Sequence, residues 1–266
     1  SSSSEKLFTV RFEPRVGAAP FSCAATFEGI GLGKTTLKPL DYRLWVHDVR
    51  LVRGSGEEVP LRLRQEFATG TLADDGYWQK ENVALLDFED ATGSCEGTAE
   101  TRLVVTGFAP PYGDYTGITF KVGVPRALNH IDAPAAPYPM GAPGMAWQWK
   151  TGYRFVRLDV STPRHPQYLF HLGSSGCDMA ATDPARYACS VENVATVRLD
   201  GFDPDANVIV ADAATLYAGL DVDAIDTSFC MSGGTTNPLC PSMFAAFGLS
   251  YGSSPAGTPT FFRVGP

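Results

Sequence analysis

From Leu7 to Phe12 the chain alternates, with Phe8, Val10 and Phe12 on one side and Leu7, Thr9 and Arg11 on the other. A period of two is the signature of a half-buried strand. Similar short runs follow at 42–52, 61–64, 83–88, 101–106, 117–122, 153–159, 168–172, 195–199 and 260–264. Clusters of Gly, Pro, Asp or Asn separate most of them, so the pattern predicts an all-β fold, a sandwich or barrel with long loops. One or two short helices are expected, over 211–220 after the Asp203-Pro204-Asp205 turn and over 242–247 after Pro241. Residues 131–144 carry four prolines, which rule out a central strand there. They are expected to cross the surface of one domain spanning residues 1–266. Within 42–52, strict alternation places Trp45, His47, Val49 and Leu51 on one apolar face.

Composition narrows the function classes. Glycine (27) and proline (20) are spread along 266 residues, which suits many turns rather than long helices. The net charge of −8 disfavours nucleic acid and anionic membrane surfaces as partners. No apolar run is long enough for a transmembrane helix. The chain opens on Ser1–Ser4 without an initiator methionine, as expected of a mature chain whose signal peptide has been removed. Nothing in the composition fixes an oligomeric state.

Several motifs fail on inspection. Gly29-Ile30-Gly31-Leu32-Gly33-Lys34-Thr35 resembles a phosphate loop, but Glu28 stands where the required glycine belongs. Gly173-Ser174-Ser175-Gly176 lacks the spacing of a nucleophile elbow. Asp203-Pro204-Asp205-Ala206-Asn207 is rich in oxygen ligands and makes Ca²⁺ a candidate second ion, though it lacks the twelve-residue calcium-loop pattern. A turn that caps the next element explains it equally well. The histidines are His47, His130, His165 and His171. His47 falls on the apolar side of its strand, His130 at a strand-to-loop junction, and His171 at a strand end. His165, between Pro163 and Pro166, is expected to be exposed and inert. Trp147 and Trp149 are expected to be core side chains. Met145 and Met231 are thioethers able to bind Cu(I), a role that competes with ordinary core filling.

The six cysteines, Cys23, Cys95, Cys177, Cys189, Cys230 and Cys240, include no Cys-x-x-Cys pair. That argues against structural zinc and against a thioredoxin-type motif, and an even count fits disulfides formed in an oxidising compartment. Fifteen pairings are possible and the sequence selects none of them. The preference of short loops for closure favours Cys177–Cys189, Cys230–Cys240 and Cys23–Cys95. Each bridge would stabilise the fold by about 2–4 kcal/mol.

The segment Gly76-Tyr77-Trp78-Gln79-Lys80-Glu81-Asn82 leads into the apolar run Val83–Phe88, and a lone tryptophan stands just before that strand. Further segments follow in order: Gly123-Val124-Pro125 before Leu128-Asn129-His130, Gly144–Tyr153, His171-Leu172-Gly173-Ser174 before Cys177, and Cys230-Met231-Ser232. Together with Val46–Leu51, Tyr115-Thr116-Gly117 and Asp203-Pro204, they resemble the MbnP-like copper-binding proteins, also called metallo-mystery-pair four-Cys proteins. The resemblance covers nearly the whole chain. It implies a secreted or periplasmic, non-enzymatic β-rich protein that binds copper, as Cu(I) or Cu(II). It also implies a di-haem partner of the MauG/cytochrome c peroxidase type, which oxidises one tryptophan to kynurenine.

An intact indole offers a metal no lone pair, whereas the arylamine left by ring opening does. The family pattern puts the modified residue in Trp-x-His before the Val-Ala-Leu-Leu-Asp-Phe-Glu strand, which here is Trp78. Lys80 stands where that pattern has histidine, and a protonated lysine cannot ligate. The resemblance therefore implies His47, His130 and modified Trp78 as copper ligands, with His171 and Met231 in reserve. A second reading is a periplasmic or surface β-domain that binds a protein or small ligand without copper, which Lys80 favours. A secreted hydrolase, the third, has no supporting motif.

Overall fold

A computed structural model describes residues 4–111, 113–182 and 187–266. Its strands in chain order are β1 (Lys6–Val16), β2 (Ala19–Pro20), β3 (Phe27–Ile30), β4 (Thr35–Arg53), β5 (Glu58–Pro60), β6 (Arg62–Leu63), β7 (Gln79–Lys80), β8 (Val83–Asp87) and β9 (Val104–Ala109). They continue as β10 (Tyr115–Val122), β11 (Val156–Ser161), β12 (Tyr168–Leu172), β13 (Ser175–Cys177), β14 (Cys189–Val191), β15 (Ala195–Asp200), β16 (Val208–Asp212), β17 (Phe229–Met231) and β18 (Phe262–Gly265). The two α-helices, α1 (Arg126–Asn129) and α2 (Cys240–Ala246), are short. The all-β expectation holds.

Two sheets face each other. The smaller runs β18-β16-β1-β9-β6, and the larger runs β15-β10-β4-β11-β12-β17. Their inner faces meet through Phe12 against Phe120, Phe8 against Tyr115, and Tyr42 against Phe261. The Tyr42 hydroxyl also donates to the Ala211 carbonyl across the sandwich. The buried apolar side chains form one contiguous core. Alternation along β1 buries Phe8, Val10 and Phe12, as the sequence pattern requires.

β4 organises the larger sheet. Along one edge it pairs with β10 over its C-terminal half and with β11 over its N-terminal half, both antiparallel. Between them, at Trp45, the Gly123 amide donates to the Trp45 carbonyl and the Trp45 amide donates to the Phe155 carbonyl. Gly123 and Phe155 thus share the place of one partner residue. β10 and β11 form a single line interrupted there by an excursion of residues 123–155, which contains α1 and covers the outer face of the sheet. This is the proline-rich crossing loop anticipated from residues 131–144. Because the loop buries the outer face too, β8 is buried at every residue, which explains its unbroken apolar run.

One expectation fails in β4 for a clear reason. Val46 pairs with Val122 and Leu51 with Ile118, but three steps from His47 to Arg50 match only two from Lys121 to Thr119. The extra residue is a β-bulge around Asp48, whose φ is +49°. The bulge shifts the phase by one. Tyr42, Leu44 and Val46 face the inner core before it, and Val49 and Leu51 face it afterwards. Trp45 and His47 therefore face the loop-covered side, opposite Val49 and Leu51.

The predicted helix over 211–220 is replaced by the end of β16 and a 3-10 turn, Ala213–Leu216, whose N-terminus is capped by the Asp212 side chain at the Ala214 amide. The second predicted helix is α2. All three favoured disulfides are present: Cys23–Cys95, Cys177–Cys189 and Cys230–Cys240. His165 is buried at 8% exposure and bonds the Ile225 carbonyl, in a turn closed by Thr162, whose hydroxyl accepts the His165 N–H and whose amide donates to the His165 carbonyl. Trp147 and Trp149 are half-buried rather than core residues. A turn from Gln148 to Gly152 contains Trp149 and removes the extended geometry that would have put both rings on one face.

Candidate metal centre

The outer face of the large sheet carries His47, Trp78, Lys80 and His171 at separate points. His47 pairs in register with Val83, Val83 with Lys80, and Trp45 with Leu85, and the Leu85 amide donates to the Trp78 carbonyl. Cross-strand partners share a face. Gln79 fixes this short edge by turning inward: its amide nitrogen donates to the Thr106 carbonyl at 2.9 Å and its amide oxygen accepts the Thr106 N–H at 2.8 Å. Its neighbours Trp78 and Lys80 are thereby directed outward, under or beside the loop.

His47 is buried, and its Nδ1 lies 2.8 Å from the Gly123 carbonyl. Gly123 has a φ of +137°, and a Cβ there would lie 2.9 Å from the Phe155 ring. Glycine therefore lets the carbonyl reach the imidazole. The carbonyl must receive a hydrogen, which fixes the tautomer with the proton on Nδ1 and the lone pair on Nε2. Among the described residues Nε2 has no hydrogen-bond partner. Burial holds the His47 pKa below its ordinary value, against the opposing effect of the carbonyl, so the ring is neutral at neutral pH.

His130 repeats the arrangement. It follows α1, is buried, and places Nδ1 2.8 Å from the Trp149 carbonyl. Its Nε2 lies 3.3 Å from the Asn129 side-chain nitrogen and 3.6 Å from Cys189 Sγ. Burial lowers its pKa as well. Asn129 holds the hairpin of the loop by accepting the Tyr153 N–H at 2.8 Å and donating to Ser174. A small cavity lined by Val124, Asn129, His130, Phe155, Cys189 and Glu192 lies at this ring. Glu192, which lines this cavity, also acts electrostatically on His47. An imidazole that donates one nitrogen to a backbone carbonyl and keeps the other bare has the form of a metal ligand with its outer partner in place, which His47 meets outright and His130 only once the Asn129 amide gives up its bond to Nε2.

Trp78 is 1% exposed. Its indole N–H donates to the Leu72 carbonyl at 2.7 Å, and its ring meets Tyr138 edge to face at 5.3 Å. Tyr138 belongs to the covering loop, and burial pushes its pKa up to about 12. The Cα of Trp78 stands two strands and two residues from that of His47, about 12 Å by strand spacing. Lys80 is closer in register but half exposed, with its ammonium 3.9 Å from Glu81.

His171 and Met231 belong elsewhere. They are register partners in the parallel β12–β17 pair, and His171 is two strands and four residues from His47, about 16 Å. Between them lies a buried ionic cluster. Asp41 accepts two bonds from Arg43, Arg157 reaches Asp41 and Asp159, and His171 Nε2 lies 2.8 Å from Asp159. Gly144 has a φ of +74°, and a Cβ there would meet the Arg157 guanidinium at 2.3 Å, so the loop rests directly on this cluster. Beside it, burial pushes the Asp87 carboxyl up to about 8, against the attraction of Arg43 and with repulsion from Glu89 and Asp41.

Among the described residues, the one group of three potential ligand atoms within 4.8 Å is Cys23, Glu89 and Cys95. Its cysteines form a disulfide, which leaves no thiolate for a metal. At the calcium candidate, Asp205 pairs with Lys6 at 2.7 Å, Asp203 accepts the Asp205 amide, and Asn207 accepts the Asp203 amide. Its oxygens are already used in turn capping and an ion pair. The sequence had given no sign of the Gly123 and Trp149 carbonyls, Asp159 or Tyr138. Backbone acceptors leave no trace in residue identity, and only the glycine before Val124-Pro125 hinted at one.

The family model that matches the chain is MbnP, over residues 5–232. Among solved structures, MbnP from Methylosinus trichosporium is similar, with 30% sequence identity and a TM-score of 0.82. The match covers 98% of this chain and 99% of that one. No curated protein matches.

Proposed function

The chain belongs to the MbnP family, and from that premise we propose that it binds copper through His47 and His130 and acts in copper acquisition or handling rather than as an enzyme. The observation that carries this reading is the shared state of the two imidazoles. Both are buried and neutral, and both are oriented through Nδ1 by a backbone carbonyl. Nitrogen donors of this kind suit copper, and the carbonyls fix their direction before any ion arrives.

In this reading Trp78 is the third ligand after a di-haem partner of the MauG/cytochrome c peroxidase type, with peroxide as oxidant and oxygen source, cleaves the indole C2–C3 bond and C2 leaves as formate on hydrolysis; the arylamine of the resulting kynurenine supplies the lone pair that indole lacks. With the ring 1% exposed, the partner must draw electrons through the surrounding protein rather than by touching it. The three disulfides support a periplasmic or secreted location. The half-exposed Lys80 supports the competing reading of a ligand-binding β-domain without copper.

Peptide mass spectrometry across Trp78, on protein produced with and without the partner, tests the maturation. Oxidation at Trp78 that depends on the partner supports it, and an intact Trp78 under both conditions defeats it. Chelator-competition titration tests the metal ligands. His47→Ala is expected to weaken copper binding about 100-fold, and an unchanged affinity would return His47 to a structural role.

A further inference from the structure

The three disulfides stand in different surroundings. Cys23, Cys95, Cys230 and Cys240 are all buried, the last two completely, whereas Cys177 and Cys189 are half-buried. Cys177 and Cys189 face each other in register across the β13–β14 hairpin, which stands apart from both large sheets. Thiol–disulfide exchange needs an open path for a thiolate to one of the two sulfurs, so accessible bridges are the labile ones.

The two ends of this bridge also differ from each other. Cys177 lines an open, mostly apolar cavity of about 460 Å³ beside Trp147, together with Ser174, Gly176, Met179 and Met231. Cys189 lines a separate cavity of about 20 Å³ with Asn129, His130 and Phe155. That space holds about one water molecule and is too small for a thiol compound. Cys189 Sγ lies 3.6 Å from His130 Nε2, so the sulfur has a polar neighbour when it leaves the bridge. The opening thus admits a thiolate at Cys177, with Cys189 as the leaving group.

We propose that Cys177 is a reversible modification site that takes a low-molecular-weight thiol as a mixed disulfide, with Cys189 as the resolving cysteine. The incoming thiolate bonds to Cys177 Sγ, and the Cys177–Cys189 bond breaks. The electron pair departs on Cys189, which takes up the proton given up by the incoming thiol. The incoming sulfur is oxidised to the disulfide level and Cys189 is reduced to a thiol, so no further oxidant is required. Backbone pairing of β13 with β14 keeps Cys189 opposite Cys177, and attack by Cys189 reverses the step within the chain. The adduct occupies the cavity beside Trp147, so the thiol status of Cys177 governs entry to it. This inference does not rest on the copper reading above.

The test is incubation of the full chain with millimolar reduced glutathione and a chelator, quenched with N-ethylmaleimide and read by peptide mass spectrometry. Glutathione is expected on Cys177 and the maleimide on Cys189, about tenfold or more over the opposite arrangement. Cys23–Cys95 and Cys230–Cys240 are expected to stay intact. Removing glutathione before the quench should restore the Cys177–Cys189 bridge. In the adduct the Met179 and Met231 ε-methyl resonances should shift, while those of Met140, Met145 and Met243, buried in the core, should not. Cys189→Ser, charged with oxidised glutathione, should retain the adduct after dilution because the resolving thiol is gone. Absence of an adduct, an adduct chiefly on Cys189, or opening of all three bridges together would overturn the proposal. So would unmoved Met179 and Met231 methyls, or an adduct that Cys189→Ser releases as fast as the parent does.

Discussion

At His47 an imidazole Nδ1 meets the Gly123 carbonyl, whereas at His171, on the same sheet face, an imidazole Nε2 meets the Asp159 carboxylate. The carbonyl orients its ring without adding charge, and burial then keeps that ring neutral. The carboxylate brings a charge that has to be compensated. Asp159 takes Arg157, Arg157 also takes Asp41, and Asp41 takes Arg43. The His47 region is therefore preorganised at little electrostatic cost, while the His171 region depends on an interlocked set of buried ions. Buried ion networks gain little net stability when complete and are costly to break.

Deleting Asp48 would break the comparison most severely. Without the bulge, Trp45 and His47 would fall into phase with Val49 and Leu51, so one set must face the wrong layer. The expected outcome is loss of cooperative thermal unfolding; a near-UV circular dichroism spectrum matching the parent would refute the role given to the bulge. Arg43→Met strips Asp41 of its main partner and cuts the tie to the Pro143 carbonyl. It should cost about 3–5 kcal/mol in urea unfolding, far more than a comparable truncation near His47.

Asp87→Asn tests the charged side more gently. A buried acid with a native pKa of about 8 retains its proton where the unfolded chain has lost it. Its burial therefore weakens the fold progressively from about pH 4 to about pH 8, by at most about 1.4 kcal/mol per pH unit. Below pH 4 the penalty vanishes. The Asn variant should lose that downward slope and gain stability near pH 8. An identical pH profile would mean that Asp87 is ionised in the native protein. The smallest effect sharpens the neutral side: Lys80→His places a third imidazole in register with Val83 and His47. Copper affinity should rise about tenfold by chelator competition, and no gain would place the copper away from this edge.

Much of the architecture was legible in local pattern. Alternation located β1, turn clusters bounded β8 and β12, and short-loop closure favoured the three disulfides that form. The phase of β4 was not legible, because an Asp48 with positive φ looks like any other polar residue in the sequence. Nor was the strand at 208–212, since a short apolar run reads equally as helix or strand. The same limit applied to the site. His47 and His130 could be selected by residue type and family pattern, but their orienting carbonyls belong to residues whose side chains say nothing. His171 and Met231 looked like reserves for one centre because sequence carries no measure of the four residues and two strands that separate them from His47.

The meeting of Gly123 and Phe155 at Trp45 makes residues 123–155 a removable module. Joining residue 122 to residue 156 through one residue kept opposite Trp45 would splice β10 and β11 into one continuous strand along β4, with the layer between the two sheets left in place. His130, Tyr138 and the Gly123 carbonyl would all leave with the excised piece. In evolutionary terms, a plain sandwich could acquire or shed this chemistry through a single insertion or deletion, with repacking confined to the outer face that Tyr138 and Tyr153 now cover at Trp78 and Trp45.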